Sequence, residues 1–195
     1  MDGQLRDKVA SGVAWSMAEK VGTMLLQLAV SLTILRLLNP AIMGVIAIPT
    51  AFLAVAIVIA DSGFSQALIR KGTPTADDYK SVFAFNVGVA LVLYGVLVAL
   101  AGSIARFYDM PEITRIAPVF FLQLPLSAAC AIQNTIFVRT FRFALLSKVT
   151  FAASLVSGVA AVALALAGFG VWSIVAQRVL QMAVRALLLW WLSSW

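Results

Sequence analysis

Apolar residues run along this chain in six long blocks, approximately 9–38, 42–68, 82–104, 114–137, 148–167 and 171–192. Each has the roughly 20 residues of helix needed to bridge a hydrocarbon core. Turn-forming residues separate the blocks: Asn39-Pro40 after the first, Gly72-Thr73-Pro74 after the second, Met110-Pro111 between third and fourth, and Gly168-Phe169-Gly170 between fifth and sixth. The pattern predicts an all-α membrane protein with six transmembrane helices in a single domain, 1–195. Pro49, Pro118 and Pro125 fall inside blocks and predict kinks in spans two and four. Thr75 with Asp78 three residues later reads as a capping box that opens an interfacial turn into span three. The first block is too long for a signal-peptide core, is interrupted by Glu19-Lys20, and is expected to remain in the mature chain.

Composition supports the same class. Hydrophobic residues make up 63% of the 195 and charged residues 11%, against about 45–50% and about 25% in soluble domains. Mean hydropathy is +1.02, which excludes an ordinary soluble enzyme. The absence of histidine removes imidazole acid–base chemistry and histidine metal sites. The single Cys130 has no disulfide partner in the chain and reads as a small buried hydrophobe. No cofactor and no metal are expected.

Fourteen Lys and Arg against eight Asp and Glu leave a net charge of +6. Basic residues are not interleaved with aromatics, so no nucleic-acid partner is expected. The cations follow topology instead. Arg6, Lys8, Arg70, Lys71, Lys80, Arg139, Arg142 and Lys148 fall on one side of the six spans, whereas Arg36, Arg106 and Arg115 fall on the other. The positive-inside rule then assigns both termini to the cytoplasm. Trp190, Trp191 and Trp195 read as an aromatic anchor at the inner interface, with Trp172 at the outer one.

Lys20, Arg178 and Arg185 lie within spans, together with the acids Glu19 and Asp61. A charge at bilayer depth costs at least about 2.5–3.5 kcal/mol on insertion scales, so such side chains normally face protein or water. On span one, Gly12, Ser16, Lys20, Thr23, Gln27 and Ser31 recur every three or four residues and form one polar stripe. On span six, Gln177, Arg178, Gln181 and Arg185 form a second. Two such stripes predict a hydrated cationic cavity with Lys20, Gln27, Arg178, Gln181 and Arg185 as substrate-binding candidates. Guanidinium groups in particular recognise phosphate bidentately. The competing reading pairs these cations with Glu19 or Asp61 simply to lock the bundle, or lets Arg185 snorkel to the inner interface. Asp61-Ser62-Gly63 also reads as a polar break that ends span two. On span five, Ser154 and Gly158, and Ala153 and Ser157, are spaced four apart and mark a close helix–helix contact.

Six segments in order, SGVAWS, LRLLNPAIMGVIA, DSGFSQALIRK, DDYKSVFAFN, IARFYDMPEI and GFGVWSIV, resemble the polysaccharide transporters, or Wzx-type lipid-linked oligosaccharide flippases. These belong to the multidrug/oligosaccharidyl-lipid/polysaccharide exporter superfamily. The resemblance extends from Ser11 to Trp195. It implies a multi-pass protein of the bacterial inner membrane that moves an undecaprenyl-pyrophosphate-linked oligosaccharide between leaflets for lipopolysaccharide, capsule or exopolysaccharide synthesis. It also implies one six-helix lobe of a two-lobe, flippase-type transporter. Family members have twelve or more spans, so this chain corresponds to the N-terminal lobe with the second lobe absent. Its expected partners are the lipid bilayer, the polyprenyl-pyrophosphate-linked oligosaccharide, and either a second copy or a separately made C-terminal half.

Two alternatives stay open within this reading: a drug/cation antiporter of the same superfamily, and an inactive half-length remnant or scaffold. A membrane enzyme acting on polyprenyl phosphates would need clustered carboxylates for Mg²⁺. Asp77-Asp78, the only adjacent acidic pair, reads as cap plus interfacial charge. The orientation has a direct test. Reporter fusions after Lys71 and after Trp195 should report cytoplasm, and a fusion after Arg106 should report periplasm; periplasmic signals at the first two positions would invert the topology.

Overall fold

The computed structural model describes residues 2–37, 41–61, 63–71, 74–140 and 142–193, with side chains described from Met17 onward except those of 18, 19 and 41. The described residues form eight helices: α1 (Asp2–Leu37), α2 (Ala41–Asp61), α3 (Phe64–Arg70), α4 (Ala76–Phe107), α5 (Glu112–Phe120), α6 (Gln123–Arg139), α7 (Phe143–Leu166) and α8 (Val171–Leu192). They contain six segments long and apolar enough to cross a membrane, with α5 and α6 together making the fourth. An all-helical answer follows from the solvent. Hydrocarbon cannot hydrogen-bond a peptide group, and a helix satisfies its backbone internally.

Two of the six runs are interrupted. The second, expected as 42–68, ends as a helix at Asp61. Gly63 follows with φ 76°, a left-handed conformation that glycine adopts without a Cβ penalty, and the short α3 restarts from there. The fourth, expected as one kinked helix over 114–137, breaks at Phe121-Leu122. Pro118 and Pro125 flank the break, and each lacks the N–H that an unbroken ladder would use. Turn bonds from Phe121 N to Ala117 O at 2.8 Å and from Leu124 N to Phe121 O at 2.9 Å carry the chain across. Pro49, by contrast, sits buried inside α2, which continues through it.

The capping box at Thr75 forms, but it opens α4 directly rather than a separate interfacial turn. Asp78 N–H donates to Thr75 Oγ1 at 3.3 Å, and Thr75 N–H donates to Asp78 Oδ2 at 2.7 Å. Lys71 Nζ meets the same carboxylate oxygen at 2.7 Å, tying the end of α3 to the start of α4. Arg139, the last residue of α6, donates through Nη1 to the carbonyls of Leu68, Ile69 and Lys71. Those are the orphan acceptors that any helix C-terminus leaves, so a guanidinium far away in sequence caps α3.

Packing follows the small residues. The main core centres on Ile116, Phe120, Phe121, Leu124 and Val175, with smaller clusters around Ile113 and around Leu189, all fully or almost fully buried. There α6 lies against α4 and α8, and α2 packs across α4, α5, α6 and α8. Helix α7 packs between α1 and α8. Its Ala153, Ser154, Ser157, Gly158, Ala161 and Ala165 are buried, consistent with the close contact expected from their spacing. A Cβ placed on Gly158 would stand 2.9 Å from Val30 Cγ2, and one on Gly22 would stand 3.8 Å from the Phe151 ring. Helix α1 therefore runs parallel to α7, with a close approach at Gly158.

That approach yields a prediction. Val30 is β-branched and has little rotamer freedom to yield, so Gly158→Ala should destabilise the α1–α7 seam by about 1–3 kcal/mol, the usual cost of overpacking. The double variant Gly158→Ala/Val30→Ala should recover most of the loss. The check is the midpoint of heat-induced loss of the monodisperse species in detergent; equal midpoints for wild type and Gly158→Ala would show that the seam is loose.

Candidate functional site

The intramembrane polar residues separate into two groups. The first lies on the outside of the bundle. Lys20, Gln27 and Ser31 of the α1 stripe are exposed, while Thr23 is buried on the same side as Val30 and Ile34. The stripe thus runs alongside the face that packs on α7. Arg178 of α8 is exposed and Gln177 half-buried. Among the described residues, neither Lys20 nor Arg178 forms an ion pair. The side chains of Gly12, Ser16 and Glu19 lie outside the described residues.

The second group is internal. Gln181 Nε2 donates to Ser154 Oγ at 2.9 Å, so this member of the α8 stripe fastens α8 to α7. Arg185 is half-buried, and its Nη2 donates to Asn134 Oδ1 of α6 at 3.3 Å, while its Nε is buried without a partner in the protein. Asp61, the last residue of α2, makes no ion pair among the described residues. Its Oδ1 accepts the Ser65 hydroxyl at 2.6 Å, across the break between α2 and α3.

These internal groups converge. A cavity of about 250 Å³ is lined by Asp61, Ser65, Asn86, Ser127 and Asn134, with Ile57 and the alanines of α2 and α6 as its apolar wall. Asn134 therefore touches both Arg185 and the space that Asp61 faces. Asn86 of α4 is 1% exposed, and neither its amide oxygen nor its amide nitrogen has a hydrogen-bond partner in the protein. A buried, unpaired amide costs free energy of the order of 1–3 kcal/mol. Asn86 stands about 15 Å along α4 from its first residue, at 1.5 Å per residue, well inside an apolar span. Gln133, beside Asn134 in sequence, is 0% exposed and likewise unpaired.

Of the residues singled out from the sequence, Asp61 lines this cavity, and Arg185 reaches Asn134 on its wall without lining it. Lys20, Gln27 and Arg178 do not join it. Asn86, Ser127 and Asn134 were not anticipated. Their signal was amides inside apolar blocks (AFNVGVA and AIQNTI), which a search for charges and for stripes on the first and last spans passes over. Among the described residues, no three His, Cys, Asp or Glu side chains gather as metal ligands.

The sequence profile of the family described as "Polysaccharide biosynthesis protein" matches residues 33–195. The chain is also similar to the succinoglycan biosynthesis transport protein ExoT of Rhizobium meliloti (strain 1021), at 28% identity over 177 residues. That alignment covers 91% of this chain and 36% of the relative, so the chain spans little more than a third of that protein's length. No solved structure matches the chain. Six apolar helices and a profile match over most of the chain lead to one conclusion: this multi-pass membrane protein belongs to the polysaccharide biosynthesis protein family.

Proposed function

We propose that this chain is the N-terminal lobe of a transporter that moves an undecaprenyl-pyrophosphate-linked oligosaccharide across the bacterial inner membrane for extracellular polysaccharide assembly. Both termini would lie in the cytoplasm, and the lobe would work against a second one, supplied by a further half or by another copy. In this reading the chain is a carrier, and no bond of the cargo is made or broken.

The observation that carries the reading is Arg178. It is exposed on the outside of the bundle, about 10 Å along α8 from its first residue and about 20 Å from its last. It has no anionic partner among the described residues. A guanidinium at that depth is costly against lipid, so it belongs against hydrated space that a second lobe would enclose. Lys20, Gln27 and Ser31 on α1 are further exposed polar groups at bilayer depth. Such a space favours an anion, and a pyrophosphate offers oxygens matched to the guanidinium fork. The similarity to a succinoglycan biosynthesis transport protein supports polysaccharide export as the setting.

The bundle assigns different consequences to the three cations. Arg178→Gln and Lys20→Gln alter exposed side chains and should leave membrane abundance unchanged while lowering polymer export. Loss of one charge-assisted contact, about 1.5–3 kcal/mol, corresponds to a fall in apparent affinity of about one to two orders of magnitude. Arg178→Lys should retain more activity than Arg178→Gln because the charge survives without the planar fork. Arg185→Gln removes the group bonded to Asn134 and should reduce abundance as well as export. The measurements are membrane abundance and polymer export, with the complementary half present. Normal export from the Lys20→Gln/Arg178→Gln double variant at normal abundance would dismiss the anion-lined surface.

A further inference from the structure

The cavity beside Asp61 is separate from the exposed cations, and its chemistry is of the opposite sign. Its hydrogen-bonding capacity can be counted atom by atom. Ser65 has committed its hydroxyl proton to Asp61 Oδ1 at 2.6 Å, and Ser127 has committed its own to Leu124 O at 2.8 Å. Both hydroxyl oxygens therefore have only lone pairs left to offer. The Asp61 carboxylate is acceptor-only when ionised, with Oδ2 uncommitted. Asn86 adds an amide oxygen that nothing in the protein satisfies, on a side chain 1% exposed. Four oxygens from four helices thus line one small space, and their free lone pairs outnumber the amide N–H groups that Asn86 and Asn134 bring to it. The backbone adds to it: the cavity abuts Ala60 and Asp61 at the C-terminal end of α2, where the helix dipole is negative and the last carbonyls lack helical partners.

The geometry points to a binding site for a single monovalent alkali cation, sodium-like in its preference for oxygen, held between the end of α2, the start of α3, α4 and α6. All-oxygen ligation selects a hard cation. The single carboxylate, and the Arg185 guanidinium on the far side of Asn134, argue against a divalent ion, whose second charge would go uncompensated. At about 250 Å³ the cavity holds the ion with part of its water shell, and a water can take up the Asn86 amide protons. Discontinuous helices that line polar cavities are where membrane proteins seat ions, because only there can irregular backbone persist at depth. The α2–α3 break interrupts the backbone at the end of the second crossing, Ile42–Asp61, beside this cavity. The site stands on these residues alone and does not depend on what the protein carries.

The test is equilibrium binding of ²²Na⁺ to the full chain in phospholipid nanodiscs, with choline chloride holding ionic strength constant. Wild type should bind about one ion per chain, saturably, displaced by unlabelled Na⁺ and not by choline. Asp61→Asn should weaken binding at least tenfold, and Asn86→Leu should weaken it severalfold. Asn86→Asp places a second carboxylate at the same cavity and should tighten binding severalfold, a gain that misfolding cannot produce. Saturable wild-type binding absent up to about 100 mM Na⁺ would overturn the site. So would binding that Asp61→Asn leaves unchanged, or an Asn86→Asp chain that is monodisperse yet binds no more tightly.

Discussion

Hydrocarbon provides no hydrogen-bond partners, and the form of this bundle depends on that constraint. Each peptide group inside the bilayer has to be satisfied by the chain itself, so the apolar blocks become helices and interruptions survive only where something else takes over the freed groups. The break after Asp61 illustrates the bargain. Helix α2 stops, Gly63 turns the chain, and α3 restarts, but the far end of α3 would then expose bare carbonyls. Arg139, reaching back from α6 to Leu68, Ile69 and Lys71, supplies the missing donors.

The same constraint sorts the polar side chains. Hydrophobic burial does little to hold helices together in lipid, so close backbone approach and interhelical hydrogen bonds take a larger share. Helix α7 uses both: Gly158 admits Val30 of α1, and Ser154 receives Gln181 of α8. At the other side of the bundle Tyr94 donates to the Pro118 carbonyl at 3.1 Å, bridging α4 and α5 close to the proline break. Trp190 similarly donates to the Ala129 carbonyl at 3.1 Å while its ring meets Phe83 edge-on. This residue, read from the sequence as an interfacial anchor, therefore also clamps α8 to α6.

Against that background two sets of polar groups stand out because local packing does not consume them. Lys20 and Arg178 face outward from apolar helices, and Asp61, Asn86 and Asn134 face inward on one cavity. The outward groups are cationic, whereas the cavity is lined by oxygens and one carboxylate, with Arg185 bonded to Asn134 on its wall. Because Asn134 contacts both the arginine and the cavity wall, a change in the charge state around Asp61 has a short physical route to α8.

The sequence by itself determined the class, the six crossings, the capping box at Thr75 and the tight α7 seam, because hydropathy, cap chemistry and small-residue spacing are local along one helix. It also placed Asp61 at a break and Arg185 within a span. It did not determine the company those residues keep. Periodicity grouped Arg178, Gln181 and Arg185 on one stripe, yet the tertiary structure sends one outward, one to Ser154 and one to Asn134, since neighbours on a helix face several packing partners at different depths. Asn86 and Asn134 are 48 residues apart and uncharged, so no local pattern links them. Only the packing of α4 and α6 against the end of α2 brings their amides onto the cavity that Asp61 lines.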